Sequence, residues 1–226
     1  MSTRRLFIDR DDAGRRLAAA MKRLSFVRPV VYALPRGGVP VAAQVAAALN
    51  APLDLVLVRK IGAPYQPELA VGAVVDGDTP ELVINRDIAA AAGADADYIA
   101  AVEKRELREI ERRRLAYFSG KDRVSPQGRD AIVVDDGMAT GATALAAVHA
   151  LKRRRARRVI VATPVAAPDA VERLEAEADL VVCLAQPQWF GGISAFYHDF
   201  HQLNDEEIVK LLSTAPPQEA EVQAAE

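Results

Sequence analysis

Ala131-Ile-Val-Val-Asp-Asp-Gly-Met-Ala-Thr-Gly-Ala-Thr143 is the stretch that decides how this chain folds. Four apolar residues read as a buried strand that ends on two adjacent carboxylates, Asp135 and Asp136. Small residues and hydroxyls follow, and a helical pattern then begins. Backbone amides at a helix start, with the hydroxyls of Thr140 and Thr143, make a cradle for phosphate. Gly141 lets the main chain approach an anion closely. The carboxylates would repel that phosphate, so their partners should be hydroxyls, a metal ion or a developing cation. A ribose 5-phosphate offers both kinds of partner at a suitable separation. An Asp-Asp pair taken alone is more often just a strand end with a helix cap.

Outward from this stretch, short β-branched runs alternate with alanine-rich helical patterns. Strands are predicted at 29–34, 53–59, 131–135, 159–163 and 180–184, and helices at 39–49, 143–154 and 168–177. Such alternation predicts an α/β fold: an open parallel sheet of about five strands with helices on both faces. Sheets of this kind bind ligands beyond the carboxyl ends of their strands, where connectivity reverses. Two segments break the alternation. Residues 71–75 and 82–84, separated by Asp76-Gly77-Asp78, read as a hairpin. Residues 95–118 read as a long, charge-dense helix with Ile99, Val102 and Ile110 toward one side. Residues 215–226, rich in Pro, Gln, Glu and Ala, are expected to be a disordered tail.

Val30-Val-Tyr-Ala-Leu-Pro-Arg-Gly-Gly38 is a second strand running into a turn and a helix. Arg36 presents a planar fork of donors suited to pyrophosphate. Gly37 and Gly38 would let backbone amides face the same anion. An ordinary Gly-Gly turn beside a solvated arginine would read the same way in isolation. Further on, Arg59-Lys60 at a strand end is followed by a Gly/Pro-rich stretch with Glu68 near its far side. A surface loop with a salt-bridged lysine is the plainer reading there. Five of the twelve aromatic residues fall between Trp189 and Phe200. That clustering suits either a stacking platform for a planar base or a small local core.

Composition bounds the rest. Half of the 226 residues are apolar, enough for one buried core, and a net charge of −2 gives no global attraction to nucleic acid or anionic membrane. A single cysteine, Cys183, fits a reducing cytosol and is expected to act as a small buried hydrophobe. No apolar run approaches the ~20 residues that span a bilayer, and no signal peptide is evident, so the expected location is cytoplasmic. Lys152-Arg-Arg-Arg-Ala-Arg-Arg158 falls where a helix should end, a position that favours cations by ~0.3–1 kcal/mol each. No aromatics interleave with it, so no nucleic-acid partner is expected. His149 is expected to be solvated, and His198 and His201 lack metal-ligand spacing, so no protein-built metal site is expected.

The 131–143 stretch resembles the phosphoribosyl pyrophosphate (PRPP) signature of type I phosphoribosyltransferases, and the 30–38 segment resembles the pyrophosphate loop of that family. The resemblance runs from about residue 29 to 208 and looks like an uncharacterised bacterial branch. It implies that Asp135 and Asp136 contact the ribose hydroxyls and that Ala139, Thr140, Gly141, Ala142 and Thr143 hold the 5′-phosphate. It further implies that Arg36, Gly37 and Gly38 meet the pyrophosphate, across a cis peptide at Pro35–Arg36. Residues 59–72 resemble the catalytic loop of adenine phosphoribosyltransferases, which would put Lys60 on the leaving pyrophosphate and Glu68 on the nucleophile's proton. Pro187-Gln-Trp-Phe190 loosely resembles the base-stacking turn of purine enzymes, making Trp189 and Phe190 base-binding candidates. Ala139 stands where hypoxanthine/guanine enzymes carry an aspartate, which counts against a 6-oxopurine substrate. The implied organisation is one domain over 1–214, with a hood from about 1–28 and 185–214. The implied reaction is transfer of the phosphoribosyl group from Mg2+-bound PRPP to a small nitrogen nucleophile by a homodimer. Relatives of this fold also serve as regulators, so a PRPP or nucleotide sensor is the alternative.

Overall fold

The computed structural model describes residues 5–67, 69–77, 80–117 and 123–213. Glu68, Asp78, Phe118 and the expected tail at 215–226 lie outside them.

A five-stranded sheet organises the chain. Its strands are β1 (Val30–Ala33), β2 (Leu53–Leu55), β6 (Asp130–Val134), β7 (Arg158–Val165) and β8 (Leu180–Ala185). They lie in the order β2-β1-β6-β7-β8, all parallel. The helices α2 (Gly38–Leu49), α5 (Ala142–Arg153) and α6 (Pro168–Glu175) return the chain between them. Side chains alternate across this sheet with period two. Val31, Ala33, Ile132 and Val134 face one core with α2 and α1 (Arg10–Met21). Val30, Tyr32, Ala131 and Val133 face the other, against α5 and α6. Strands buried on both faces read as unbroken apolar runs, which is why 131–134 carries no polar residue.

Connectivity reverses between β1 and β6. From β1 the chain steps outward to β2; from β6 it steps the other way to β7 and β8. The loops leaving the carboxyl ends of β1 and β6 therefore diverge from adjacent strands and open a crevice between them. They carry the arginine–glycine turn and the acidic turn.

The expected single strand at 53–59 is two strands in two sheets. Leu53–Leu55 pairs with β1, whereas β3 (Val58–Gly62) pairs antiparallel with β4 (Ala70–Val75), which in turn pairs with β5 (Glu81–Ile84). An apolar run has no periodicity that marks a change of partner, so the break at Val56–Leu57 is invisible in the sequence. The β4–β5 hairpin forms where expected. After it come α3 (Arg86–Ala91) and α4 (Ala96–Tyr117), the long charged helix, which buries Val102 and Ile110. The helix α7 (Asp205–Ser213) closes the described chain. Among the described residues no helix is long and apolar enough to cross a membrane.

Candidate active site

The acidic turn begins where β6 ends. Asp135 Oδ1 accepts from the Asp136 amide at 2.9 Å, and Met138 ties the loop to the end of β7, its amide donating to the Val165 carbonyl and its carbonyl accepting from the Ala167 amide, each at 2.9 Å. Gly141 caps α5 in the left-handed region at φ 72°, where a side chain would be strained and a Cβ would press on Leu174. The amides of Ala139, Thr140, Gly141 and Thr143 have no protein partner among the described residues, as expected for the start of a helix. Thr140 Oγ1 accepts only a long 3.4 Å bond from the Ala142 amide. Ala139, Thr140, Ala142 and Thr143 are all exposed, so the helix N-terminus faces open space with positive polarity.

The arginine–glycine turn packs directly on the carboxylates. The Pro35–Arg36 peptide is cis. A Cβ on Gly37 would run into the Asp136 carboxylate, and one on Gly38 would meet the Val134 carbonyl oxygen at 2.6 Å. The glycines are thus needed to let the two turns touch. This differs from the expectation that both would offer amides to an anion. The Gly37 amide has no described partner, but the Gly38 amide donates to the Leu34 carbonyl at 3.1 Å as the first turn of α2 forms.

Arg36 lies loosely against Asp205, Nη1 to Oδ1 3.8 Å, at the start of α7. Asp205 is more firmly engaged by the Tyr117 hydroxyl at 2.6 Å and by Arg112 at 3.3 Å. Those bonds hold its carboxyl below the usual range.

Arg10, which no sequence signal singles out, reaches the same place. From the first position of α1 its Nε donates to Asp136 Oδ2 at 2.7 Å and its Nη1 to the His201 carbonyl at 2.9 Å. Its guanidinium also lies 3.8 Å over the Phe200 ring. The Tyr197 hydroxyl donates to the Asp136 carbonyl at 2.6 Å. Burial pushes the Asp135 carboxyl well up, and the charge of Asp136 adds to it. Burial also raises Asp136, against the pull of Arg10. Two adjacent carboxyls with one guanidinium, bonded to Asp136, resist double ionisation until hydroxyl donors or more positive charge arrive.

The remaining expected residues are less tightly grouped. Lys60 is exposed on β3, in the antiparallel sheet. Its neighbour Arg59 bonds Glu106 of α4 at 2.8 Å. Burial works against that glutamate's charge, but Arg59 and Arg105 hold it below the usual carboxylate range. The aromatic cluster is largely a local core. Phe7, Phe196 and Tyr197 are buried together, and Phe190 packs on Phe196 with ring centroids 5.1 Å apart. Trp189 is 82% exposed. Cys183 is half-buried, its thiol donating to the Ala185 carbonyl, and burial raises it. His149 contacts Glu177 at 3.2 Å rather than standing in solvent alone.

A parallel sheet whose switch point joins an acidic turn, an arginine–glycine turn and an open helix N-terminus has the architecture of a type I phosphoribosyltransferase. Residues 10–201 match the Phosphoribosyl transferase domain, and the chain belongs to that family. Two Mycobacterium tuberculosis proteins, from strains H37Rv and CDC 1551 and both named putative phosphoribosyl transferases, are 46% identical to it over 211 residues. The match covers 93% of this chain and 47% of theirs, so the chain spans about half the length of the curated relatives it matches. Among solved structures, TT1426 from Thermus thermophilus is 44% identical with a TM-score of 0.81, covering 92% of this chain and 97% of that one.

Proposed function

We propose that this chain binds PRPP with Mg2+ and transfers its phosphoribosyl group to a small nitrogen nucleophile such as a nucleobase, releasing pyrophosphate. The observation that carries this reading is the contact of Gly37 and Gly38 with the Asp135–Asp136 pair beside the open amides of 139–143. Groups suited to the pyrophosphate, the ribose hydroxyls and the 5′-phosphate thereby share one crevice.

In this reading the 2′- and 3′-hydroxyls donate to Asp135 and Asp136, and the 5′-phosphate takes the amides and hydroxyls of residues 139–143. Mg2+ enters with the substrate, bound to its pyrophosphate. Among the described residues the Arg36 side chain is held by one long contact, to Asp205, and can turn to the leaving group with little loss. Lys60 would assist it. As the bond from the anomeric carbon to pyrophosphate breaks, positive charge spreads over that carbon and the ring oxygen. The acidic pair favours that charge, while the nucleophile's nitrogen forms the new bond and gives up its proton, for which Glu68 is the candidate acceptor. Catalysis of this kind rests on positioning and electrostatics, with no protein nucleophile. Arg10 compensates part of the acidic pair's charge and ties α1 to the turn. Trp189 and Phe190 remain the base-stacking candidates, and a cytoplasmic homodimer is the assembly we propose.

Mass spectrometry of the protein with PRPP, Mg2+ and a panel of nucleobases tests this. A phosphoribosylated product with equimolar pyrophosphate is expected. Tight PRPP binding without turnover across the panel would favour a sensor instead. Thr143→Ala removes a hydroxyl donor to a charged group. PRPP affinity should fall by about ten- to a hundredfold, corresponding to ~1.5–3 kcal/mol. Calorimetric titration giving an unchanged affinity would count against the phosphate cradle.

A further inference from the structure

At the end of the parallel sheet away from the candidate active site, residues 123–127 and the C-terminal end of α5 border an open cavity of about 340 Å3. Arg123, Ser125, Gln127, Arg153, Arg154 and Arg155 line it, with no carboxylate among the described lining residues. Its walls are fixed. The Tyr32 hydroxyl donates to the Val124 carbonyl at 2.6 Å, the Val124 amide donates to the buried Asp54 at 2.7 Å, and the Gly128 amide donates to the Arg155 carbonyl at 3.0 Å.

The basic run 152–158 divides here by role. Lys152 donates to the Glu177 carbonyl, and Arg157 and Arg158 converge on Asp130. Arg153 pairs with Glu81 and Arg123 with Asp76, both carboxylates flanking the β4–β5 turn. The side chains of Arg154 and Arg155 have no hydrogen-bond or ion-pair partner among the described residues. Arg155 has φ 62° in a helix-ending motif, with the Ala156 amide on the Leu151 carbonyl and its own amide on that of Lys152. Glycine or asparagine normally fills that left-handed position. Among the described residues four guanidiniums thus line one cavity, against Asp76 and Glu81 at its edge and the buried Asp54 behind Val124, which interacts with Arg123 and Arg154. The negative end of α5, about half a charge, offsets a further part.

We propose that this cavity binds a small oligophosphate, such as the di- or triphosphate portion of a nucleotide, at a site separate from the candidate active site. Guanidinium forks match phosphate oxygens in pairs, and Ser125 and Gln127 add neutral donors. The volume suits a compact anion, and among the described lining residues no aromatic side chain is present to stack the bases of a nucleic-acid strand.

The test is calorimetric titration with inorganic tripolyphosphate of the wild-type chain, of Arg154→Gln/Arg155→Asn and of Arg36→Ala. Asparagine tolerates the backbone of residue 155. The expected result is a saturable site that is retained in Arg36→Ala and weakened at least about tenfold in the double variant. Arg154→Gln alone leaves the helix cap untouched and should still weaken binding measurably if the double variant fails to fold. Absence of saturable binding, or equal affinity in the Arg154 and Arg155 variants, would overturn the proposal. So would loss of binding in Arg36→Ala alone, which would assign the anion to the front crevice. A short single-stranded RNA bound more tightly than tripolyphosphate through the same arginines would replace it with a nucleic-acid surface.

Discussion

Replacing Asp135 and Asp136 together by asparagine is expected to slow the proposed phosphoribosyl transfer by about 30- to 1,000-fold beyond any loss of PRPP affinity, an extra barrier of ~2–4 kcal/mol. Asparagine keeps the size and hydrogen-bonding reach of each side chain but removes the negative charge. Only interactions stronger in the transition state than in the bound substrate alter the chemical step. A pair that merely anchors the ribose would lose binding and turnover equally. Turnover can be followed with the true nucleophile, or with slow PRPP hydrolysis in its place, and affinity measured separately. On stability the same change should act in the opposite direction. Both carboxyls titrate above their ordinary range, so the folded state holds protons that the unfolded state has released. Stability contributed by their neutral forms is present below about pH 4 and is lost as pH rises toward the folded values. The double variant should therefore melt higher than wild type at pH 7, with the difference closing below about pH 4. Equal melting at pH 7 would contradict the electrostatic description of the site.

Asp130→Ala should destabilise the fold by about 3 kcal/mol, lowering the thermal midpoint by about 6–12 °C. Asp130 is fully buried at the start of β6. It accepts two bonds from Arg157, each 2.8 Å, two from Arg158 at 2.8 and 3.4 Å, and one from the Val27 amide at 3.0 Å. Truncation strands two cations and an amide. The low end of the range for breaking a buried ion pair applies because the guanidiniums stay 36–40% exposed and partly hydrated. Burial opposes the charge of Asp130, but the Arg158 and Arg157 bonds prevail and hold its carboxyl down at about 2. The folded value lies below the unfolded one. The stabilisation is therefore complete above about pH 4 and disappears as pH falls through 2, and the gap between variant and wild type should shrink over that window. Thermal melts at several pH values would show it. A gap that persists undiminished at low pH would mean that packing, and not charge, is what the substitution removes.

The parallel sheet is legible in the sequence because its strands are buried on both faces and its turns are made of small residues. Asp135, Asp136 and Gly141 stand out for the same reason: polar groups at the end of an apolar strand need a purpose. The cis peptide at Pro35–Arg36 is expected only from family resemblance, since nothing in the residue types demands it. Arg10 is beyond sequence reasoning. It lies 126 positions before its carboxylate partner and looks like any first-turn arginine until α1 is placed over the switch point. The hold of Asp205 on Arg36 is hidden likewise, because α7 meets the arginine turn only in three dimensions. The glycines at 37 and 38 are read from the sequence as clearing backbone amides for an anion, whereas in the structure they leave room for the neighbouring carboxylate turn. The split of 53–59 between two sheets follows from partner choice, which hydrophobicity does not encode.

Whether the crevice takes PRPP is decided most simply by calorimetric titration of the wild-type chain with PRPP in the presence of Mg2+. Saturable binding at one site per chain is expected, weakened about ten- to a hundredfold by Thr143→Ala and also reduced by Asp135→Asn/Asp136→Asn. No measurable binding of PRPP, or binding indifferent to all three substitutions, would contradict the assignment of the site.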